Sequence, residues 1–183
     1  MEIALDILVS VVSLLIVGQF TWALRGHFTS TSMTRRAQLI SLAVIVTTLG
    51  YFFLVWWQAQ PATAQIIGVV VELGGLALFW AAISASRQAK LRFAFDDEHP
   101  HSLVTSGPYR RIRHPFYTSY LIFWIGWGIA AWSPWSVVAV VVMIALYAWA
   151  ALTEERKFSA TPLAGDYEAY KRQAGFFWPR IAG

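Results

Sequence analysis

The feature that most constrains this 183-residue chain is a set of long apolar runs separated by short or polar connections. Crossing about 30 Å of hydrocarbon at about 1.5 Å per helical residue takes roughly 20 mostly apolar residues. Residues 5–24, 38–57, 64–84, 118–132 and 135–152 read as five such spans. Glu2 and Asp6 flank the start of the first, where a secretory signal would carry basic residues, so the reading is a retained span. The second ends on the aromatic pair Trp56-Trp57, a side-chain type that favours the membrane interface. The linker "QAQPA" joins the second to the third. The turn "SP" at Ser133-Pro134 joins the fourth to the fifth, which makes the last two an antiparallel helical hairpin. The expected fold is all-α: a polytopic membrane protein of five transmembrane helices forming one domain over residues 1–183.

Composition supports this. Charged residues make up 13% of the chain and hydrophobic ones 57%, against about 25% charged in soluble domains. A formal net charge of +4 would suggest nucleic acid in a soluble protein. Here the basic residues cluster between the apolar runs, which the positive-inside bias of membrane proteins explains. Arg25, Arg35 and Arg36 follow the first span. Arg87, Lys90, Arg92, Arg110, Arg111 and Arg113 follow the third. Arg156, Lys157, Lys171, Arg172 and Arg180 follow the fifth. The N-terminus and the two short connections carry no Lys or Arg, so the expected topology places the N-terminus outside and the basic segments in the cytoplasm. With no cysteine, disulfides, thiolate nucleophiles and thiolate metal sites are excluded. The histidines, His27, His99, His101 and His114, lack metal-ligand spacing, so no metal is expected.

The densest polar cluster, "GPYRRIRHPFY" (residues 107–117), sits at the mouth of the fourth span. Gly107-Pro108 is a turn, and Pro115 suits the first turn of a helix, where its missing N–H costs nothing. His114 is then the N-cap of that helix, beside free N–H groups and the positive end of the helix dipole, a setting that suits a carboxylate or phosphate. A cationic anchor at the membrane surface explains the same residues equally simply. "LTEERKF" places Glu154 and Glu155 at the end of the fifth span, against the helix dipole. Either they are a solvated pair balanced by Arg156 and Lys157, or one turns back toward His114. The hairpin brings His114, Tyr117, Glu154 and Glu155 together in the second case. Glu72, inside the third span, is a functional candidate by its position, although bonding to a neighbouring helix explains it as well. Gly74, Gly75, Gly126 and Gly128 read as sites of close helix packing.

"HSLVTSGPYRRIRHPFY", a helical hairpin, "EE" and then "GDYEAY" resemble the isoprenylcysteine carboxyl methyltransferase family and its phospholipid methyltransferase relatives, including prokaryotic membrane members. The likeness runs from His101 to the C-terminal region. It implies a five-helix core that binds S-adenosylmethionine on the cytosolic side through residues 101–117 and 151–180, with a lipophilic acceptor entering from the bilayer. Carried over by motif, the cofactor residues are His101, Ser102, Leu103, Val104, Tyr109, His114, Pro115, Phe116, Tyr117 and Glu155. Arg113, His114 and Glu154 are the residues expected to serve the chemistry. Arg113 and His114 would hold the donor's carboxylate, Glu155 its ammonium or ribose, and Glu154 or His101 would act as base if the acceptor were an amine. The family's arginine one turn before the second glutamate is Ala151 here, which argues against a prenylcysteine carboxylate as acceptor. The expected activity is methyl transfer to a small lipophilic acceptor, with a phospholipid-headgroup amine as the second reading. A non-catalytic membrane binding or assembly protein that keeps the fold is the third.

Overall fold

The apolar runs fold as helices whose inner faces meet along lines of small residues. The computed structural model describes residues 2–26, 35–87 and 103–180. It contains α1 (Glu2–Gly26), α2 (Arg35–Trp57), α3 (Ala62–Ser86), α4 (Pro115–Ala131), α5 (Pro134–Phe158) and α6 (Ala164–Gln173), with a 3₁₀ turn at Gly107–Arg110. Among the described residues there is no β-sheet, only an isolated bridge between Ile112 and Gly175.

Among the described residues, four helices are long and apolar enough to cross a bilayer: Ile3–Ala23, Ala37–Trp57, Ala62–Ser86 and Pro134–Phe158. The expected fourth span corresponds to α4, whose 17 residues are at the short end of what crosses a bilayer. It is the most enclosed of the long helices. Phe123, Trp127, Ala130 and Ala131 have no exposed surface.

α3 supplies much of that enclosure. Gly68 and Gly75 on α3 face Gly126 and the Ser119–Phe123 stretch of α4. A Cβ on Gly126 would stand 2.8 Å from both the Glu72 nitrogen and the Gly68 carbonyl oxygen. This backbone-to-backbone approach requires glycine and is the membrane solution to helix packing. Gly128 lies against Tyr51, as close packing requires, but Gly74 has open space beside it and takes no part. Glu72 is fully buried, and the Ser13 hydroxyl of α1 lies 2.9 and 3.1 Å from its two carboxyl oxygens. Its role is therefore a tie between α1 and α3. Phe20 of α1 completes this layer with ring centroids 4.7 Å from both Phe79 and Tyr120.

The hairpin forms as its sequence predicts. Trp132 adopts a left-handed conformation (φ 46°) that stops α4, and Pro134 opens α5 directly after extended Ser133. Just after α2, Gln58 donates to the Ala131 carbonyl oxygen at 3.0 Å and satisfies one of the free acceptors at the end of α4. α5 continues past the apolar stretch to Phe158, so Glu154 and Glu155 are helical. Ala, Leu, Glu, Arg and Lys all favour helix, and the change to polar side chains at residue 153 gives no reason to stop. α6 had no counterpart in the span assignment. Asp166 in its first turn and Lys171 and Arg172 in its last complement the helix dipole. Its buried face carries Tyr167, stacked on Phe158 with centroids 4.4 Å apart, and Tyr170.

Candidate active site

At the end of the bundle where α3 and α5 finish and α4 begins, the chain returns on itself. After α6, Gly175 N–H donates to the Arg111 carbonyl at 2.9 Å and Arg113 N–H donates to the Gly175 carbonyl at 2.8 Å. His114 N–H reaches the Phe176 carbonyl at 3.4 Å, and the Thr118 hydroxyl donates to the Phe177 carbonyl at 3.0 Å. The Tyr170 hydroxyl donates to the Tyr109 carbonyl at 2.6 Å. The C-terminal strap therefore holds the backbone of residues 109–118 from one side. At Gly175 a Cβ would collide with the Trp178 carbonyl oxygen, so this turn also requires glycine.

His114 is the N-cap residue of α4, with Pro115 in the first turn, and its side chain makes no capping bond. The imidazole is turned toward α5 instead. Its Nε2 lies 3.1 Å from Glu155 Oε1, and its Nδ1 lies 3.8 Å from Glu154 Oε2. Arg113 Nε lies 2.9 Å from the same Glu155 oxygen. That contact is an ion pair without the alignment of a hydrogen bond, since this nitrogen makes none. Arg113 Nη1 donates to the Lys171 and Ala174 carbonyls, both at 3.2 Å, and the guanidinium lies 5.4 Å over the Phe176 ring. Phe176 also meets the His114 ring edge-on at 5.1 Å. Tyr167 of α6 lies beside Glu155, and Tyr117 of α4 beside Glu154.

The two glutamates consequently differ. Glu155 has an exposed fraction of 11% and is engaged by both Arg113 and His114, whereas Glu154 keeps 31% of its side chain accessible. Glu154 is the carboxylate with spare acceptor capacity. The tyrosines around the pair are held protonated. For Tyr109 burial comes first and the Glu154 charge second. For Tyr167 it is burial, then the charges of Glu155 and Glu154. For Tyr170 burial raises the hydroxyl against the opposing effect of Arg113.

The structure thus brings Arg113, His114, Tyr117, Glu154 and Glu155 together, as the hairpin argument requires. Arg113 is a tie between the α4 entry and the strap, not a free cation. Leu103 packs against the Phe158–Tyr167–Tyr170 cluster and Val104 against the main core. Tyr109 is buried beneath the strap, and Pro115 is fully buried. Phe116 faces α3, with its ring 5.7 Å from Phe79. His101 and Ser102 lie outside the described residues. Ala151, one turn before Glu155, has no exposed surface, and no cation stands there. The contributors that the sequence left without a role are Tyr167, Tyr170, the strap and Tyr147. Tyr147 stacks on Tyr117 at 5.7 Å and accepts a bond from Trp124 at 3.2 Å. Tyr167 and Tyr170 are three apart in an otherwise polar segment, the one signal that could have marked a docking face.

Fold and site together define a multi-helix membrane protein with a polar, titratable cluster at one end of a helical hairpin. Residues 63–161, more than half of the chain and including that cluster, match the model of the phospholipid methyltransferase family, and the chain belongs to that family. It is similar to protein-S-isoprenylcysteine O-methyltransferase B of Arabidopsis thaliana, 28% identical over 113 residues covering 57% of this chain and 55% of the relative. The A form from the same plant is 33% identical over 89 residues, 49% and 43% of the two chains. A probable protein-S-isoprenylcysteine O-methyltransferase of Oryza sativa subsp. indica is 28% identical over 107 residues, 57% and 55%. The chain spans about half the length of these curated relatives.

Proposed function

We propose that this chain is an integral-membrane methyltransferase that uses S-adenosylmethionine and methylates a small lipophilic acceptor at a cytoplasmic site. The observation that carries the reading is the His114–Glu155–Arg113 cluster, at the base of the hairpin and inside the family-matched segment. The residues fit such a donor. The uncapped first turn of α4 suits its carboxylate. The second oxygen of Glu155 suits its ammonium or ribose hydroxyls. Leu103, Val104 and the tyrosine faces suit adenine, and His101 and Ser102 adjoin them in sequence. When bound, the donor supplies an electrophilic methyl group on a sulfonium, whose departure leaves a neutral thioether.

The chain's own task is then to align two reactants and keep water out. The strap, Tyr109 and Tyr170 fix the α4 entry. The Tyr117–Tyr147 stack and Phe176 give the site apolar walls. With Arg113 committed to Glu155 and Ala151 buried, neither position offers a free cation to an acceptor carboxylate. That favours acceptors without negative charge. The family description supports a headgroup amine as the second reading. Incubating the purified chain with methyl-labelled S-adenosylmethionine and a membrane lipid extract tests the proposal. Label should appear in the organic phase and vanish with His114→Ala. Absence of label with the unmodified chain, in extracts that supply both amines and neutral lipids, would count against it.

A further inference from the structure

A basic and aromatic patch stands outside the His114 cluster, on backbone segments that bond to one another. Arg110 ends the 3₁₀ turn, Arg111 follows it, and Arg180 lies on the C-terminal strap; all three are exposed. The Arg111 carbonyl accepts from Gly175 N–H at 2.9 Å and from Arg180 N–H at 3.1 Å, so the segments carrying the three arginines are joined at that oxygen. Trp178 lies on the loop between those two donors and is 74% exposed. Phe176 and Phe177 of the same strap instead bring their rings to His114, at 5.1 and 6.2 Å. Among the described residues, no carboxylate lies within ion-pair distance of Arg110, Arg111 or Arg180. The nearby acids are turned elsewhere: Glu168 pairs with Lys171 at 2.9 Å, Glu155 with Arg113, and Glu154 faces His114.

Three contacts fix the depth of this patch. The span of α3 runs to Ser86, and Gly107, which opens the 3₁₀ turn, sits against Ala85: a Cβ on Gly107 would stand 2.8 Å from the Ala85 Cβ. Phe116, in the first turn of α4, meets Phe79 of α3 at 5.7 Å. The Thr118 hydroxyl, one helical turn into α4, holds the Phe177 carbonyl at 3.0 Å, and Trp178 is the next residue. The 3₁₀ turn and the strap loop are therefore level with about the last two turns of a membrane span, where hydrocarbon gives way to headgroups. Tryptophan favours that layer, and the planar fork of arginine matches phosphate oxygens in pairs. The positive-inside bias accounts for the side on which the arginines lie, but it asks for neither this depth nor an exposed tryptophan among them. We propose that Arg110, Arg111, Trp178 and Arg180 form a docking surface for anionic phospholipid headgroups. The strap that carries Arg180 also holds the backbone of residues 111–118, so bound headgroups brace the α4 entry. This inference needs only the membrane location and stands apart from the methyltransferase reading.

The test places the full chain in nanodiscs of phosphatidylcholine with a minor share of phosphatidylglycerol. Bromine is carried on the acyl chains of one lipid or the other, and the emission of Trp178 is the difference between the unmodified chain and Trp178→Phe. Brominated phosphatidylglycerol should quench that emission at least about fivefold more per mole than brominated phosphatidylcholine, the effect of a single arginine at an anionic surface. The preference should vanish in the triple variant Arg110→Gln, Arg111→Gln, Arg180→Gln. Equal quenching by the two lipids in the unmodified chain overturns the proposal, whether or not the triple variant folds. So does a preference that survives in the triple variant. So does one that millimolar inorganic phosphate removes at constant ionic strength, which would mark a site for a soluble anion. Hydrogen exchange reads the bracing. The Gly175 and Arg180 amides should exchange about fivefold more slowly with phosphatidylglycerol present than in phosphatidylcholine alone, because opening the strap carries Arg180 away from the charged surface. The triple variant keeps both backbone bonds and should show no such difference. Equal exchange of the unmodified chain in the two lipids overturns the bracing of the α4 entry.

Discussion

Replacing Glu155 with alanine removes the carboxylate that Arg113 and His114 share at 2.9 and 3.1 Å. Exposed pairs contribute about 0–1 kcal/mol, whereas removing one member of a buried pair costs about 3–5 kcal/mol. Exposed fractions of 14% for Arg113, 11% for Glu155 and 4% for His114 put this cluster near the buried limit. Arg113 keeps its bonds to the Lys171 and Ala174 carbonyls, which softens the loss. The expected cost is therefore at the lower end, about 3 kcal/mol. For a chain of this size each kcal/mol shifts the midpoint by about 2–4 °C, so Tm should fall by about 6–12 °C. Intrinsic tryptophan fluorescence of the detergent-solubilised protein during heating provides the assay. Glu155→Gln should lose about half as much, because it keeps an acceptor but not the charge. In Arg113→Ala the further cost of Glu155→Ala should shrink, since the two act on one interaction. A Tm unchanged within about 2 °C in Glu155→Ala would refute the claim that this carboxylate holds the α4 entry to α5.

Gly126→Ala should destabilise by about 1–3 kcal/mol, because its Cβ would meet backbone atoms of α3 that cannot step aside, while Gly74→Ala, facing open space, should be neutral or stabilising in the same thermal scan. Ala151→Arg should lower Tm steeply and restore no carboxylate methylation, since position 151 has no exposed surface in which a guanidinium fits. A farnesylated cysteine analogue should be a poor acceptor for the unmodified chain; robust turnover would show that another cation replaces the missing arginine. A reporter fused after Gly183 should be active in the cytoplasm, and activity only on the opposite side would overturn the topology read from the loop charges.

The sequence made the hairpin legible because its signals are local. Ser133-Pro134 turns the chain, and Pro115 opens a helix whose cap is His114, as observed. Antiparallel geometry put His114 and the two glutamates at the same end of the hairpin, but a solvated glutamate pair was the other reading. The length of α5 did not, because hydropathy marks where a helix leaves hydrocarbon, not where its hydrogen bonding ends. α4 was read as a span from its composition, which did not show how far its 17 residues are enclosed by neighbouring helices. The role of Arg113 was also out of reach. Its partners Lys171 and Ala174 are 58 and 61 residues away and offer backbone carbonyls, which carry no sequence signature. Gly75 and Gly74 are adjacent, and only the rotation of α3 against α4 decides which one packs.

Calorimetric titration of the purified full chain with S-adenosylhomocysteine tests the central claim most directly. The account predicts saturable binding to the unmodified chain and an affinity lowered about ten-fold or more in His114→Ala, the effect of losing one charge-assisted hydrogen bond of about 1.5–3 kcal/mol. No heat of binding to a folded, unmodified chain, or equal affinity in the two proteins, would contradict it.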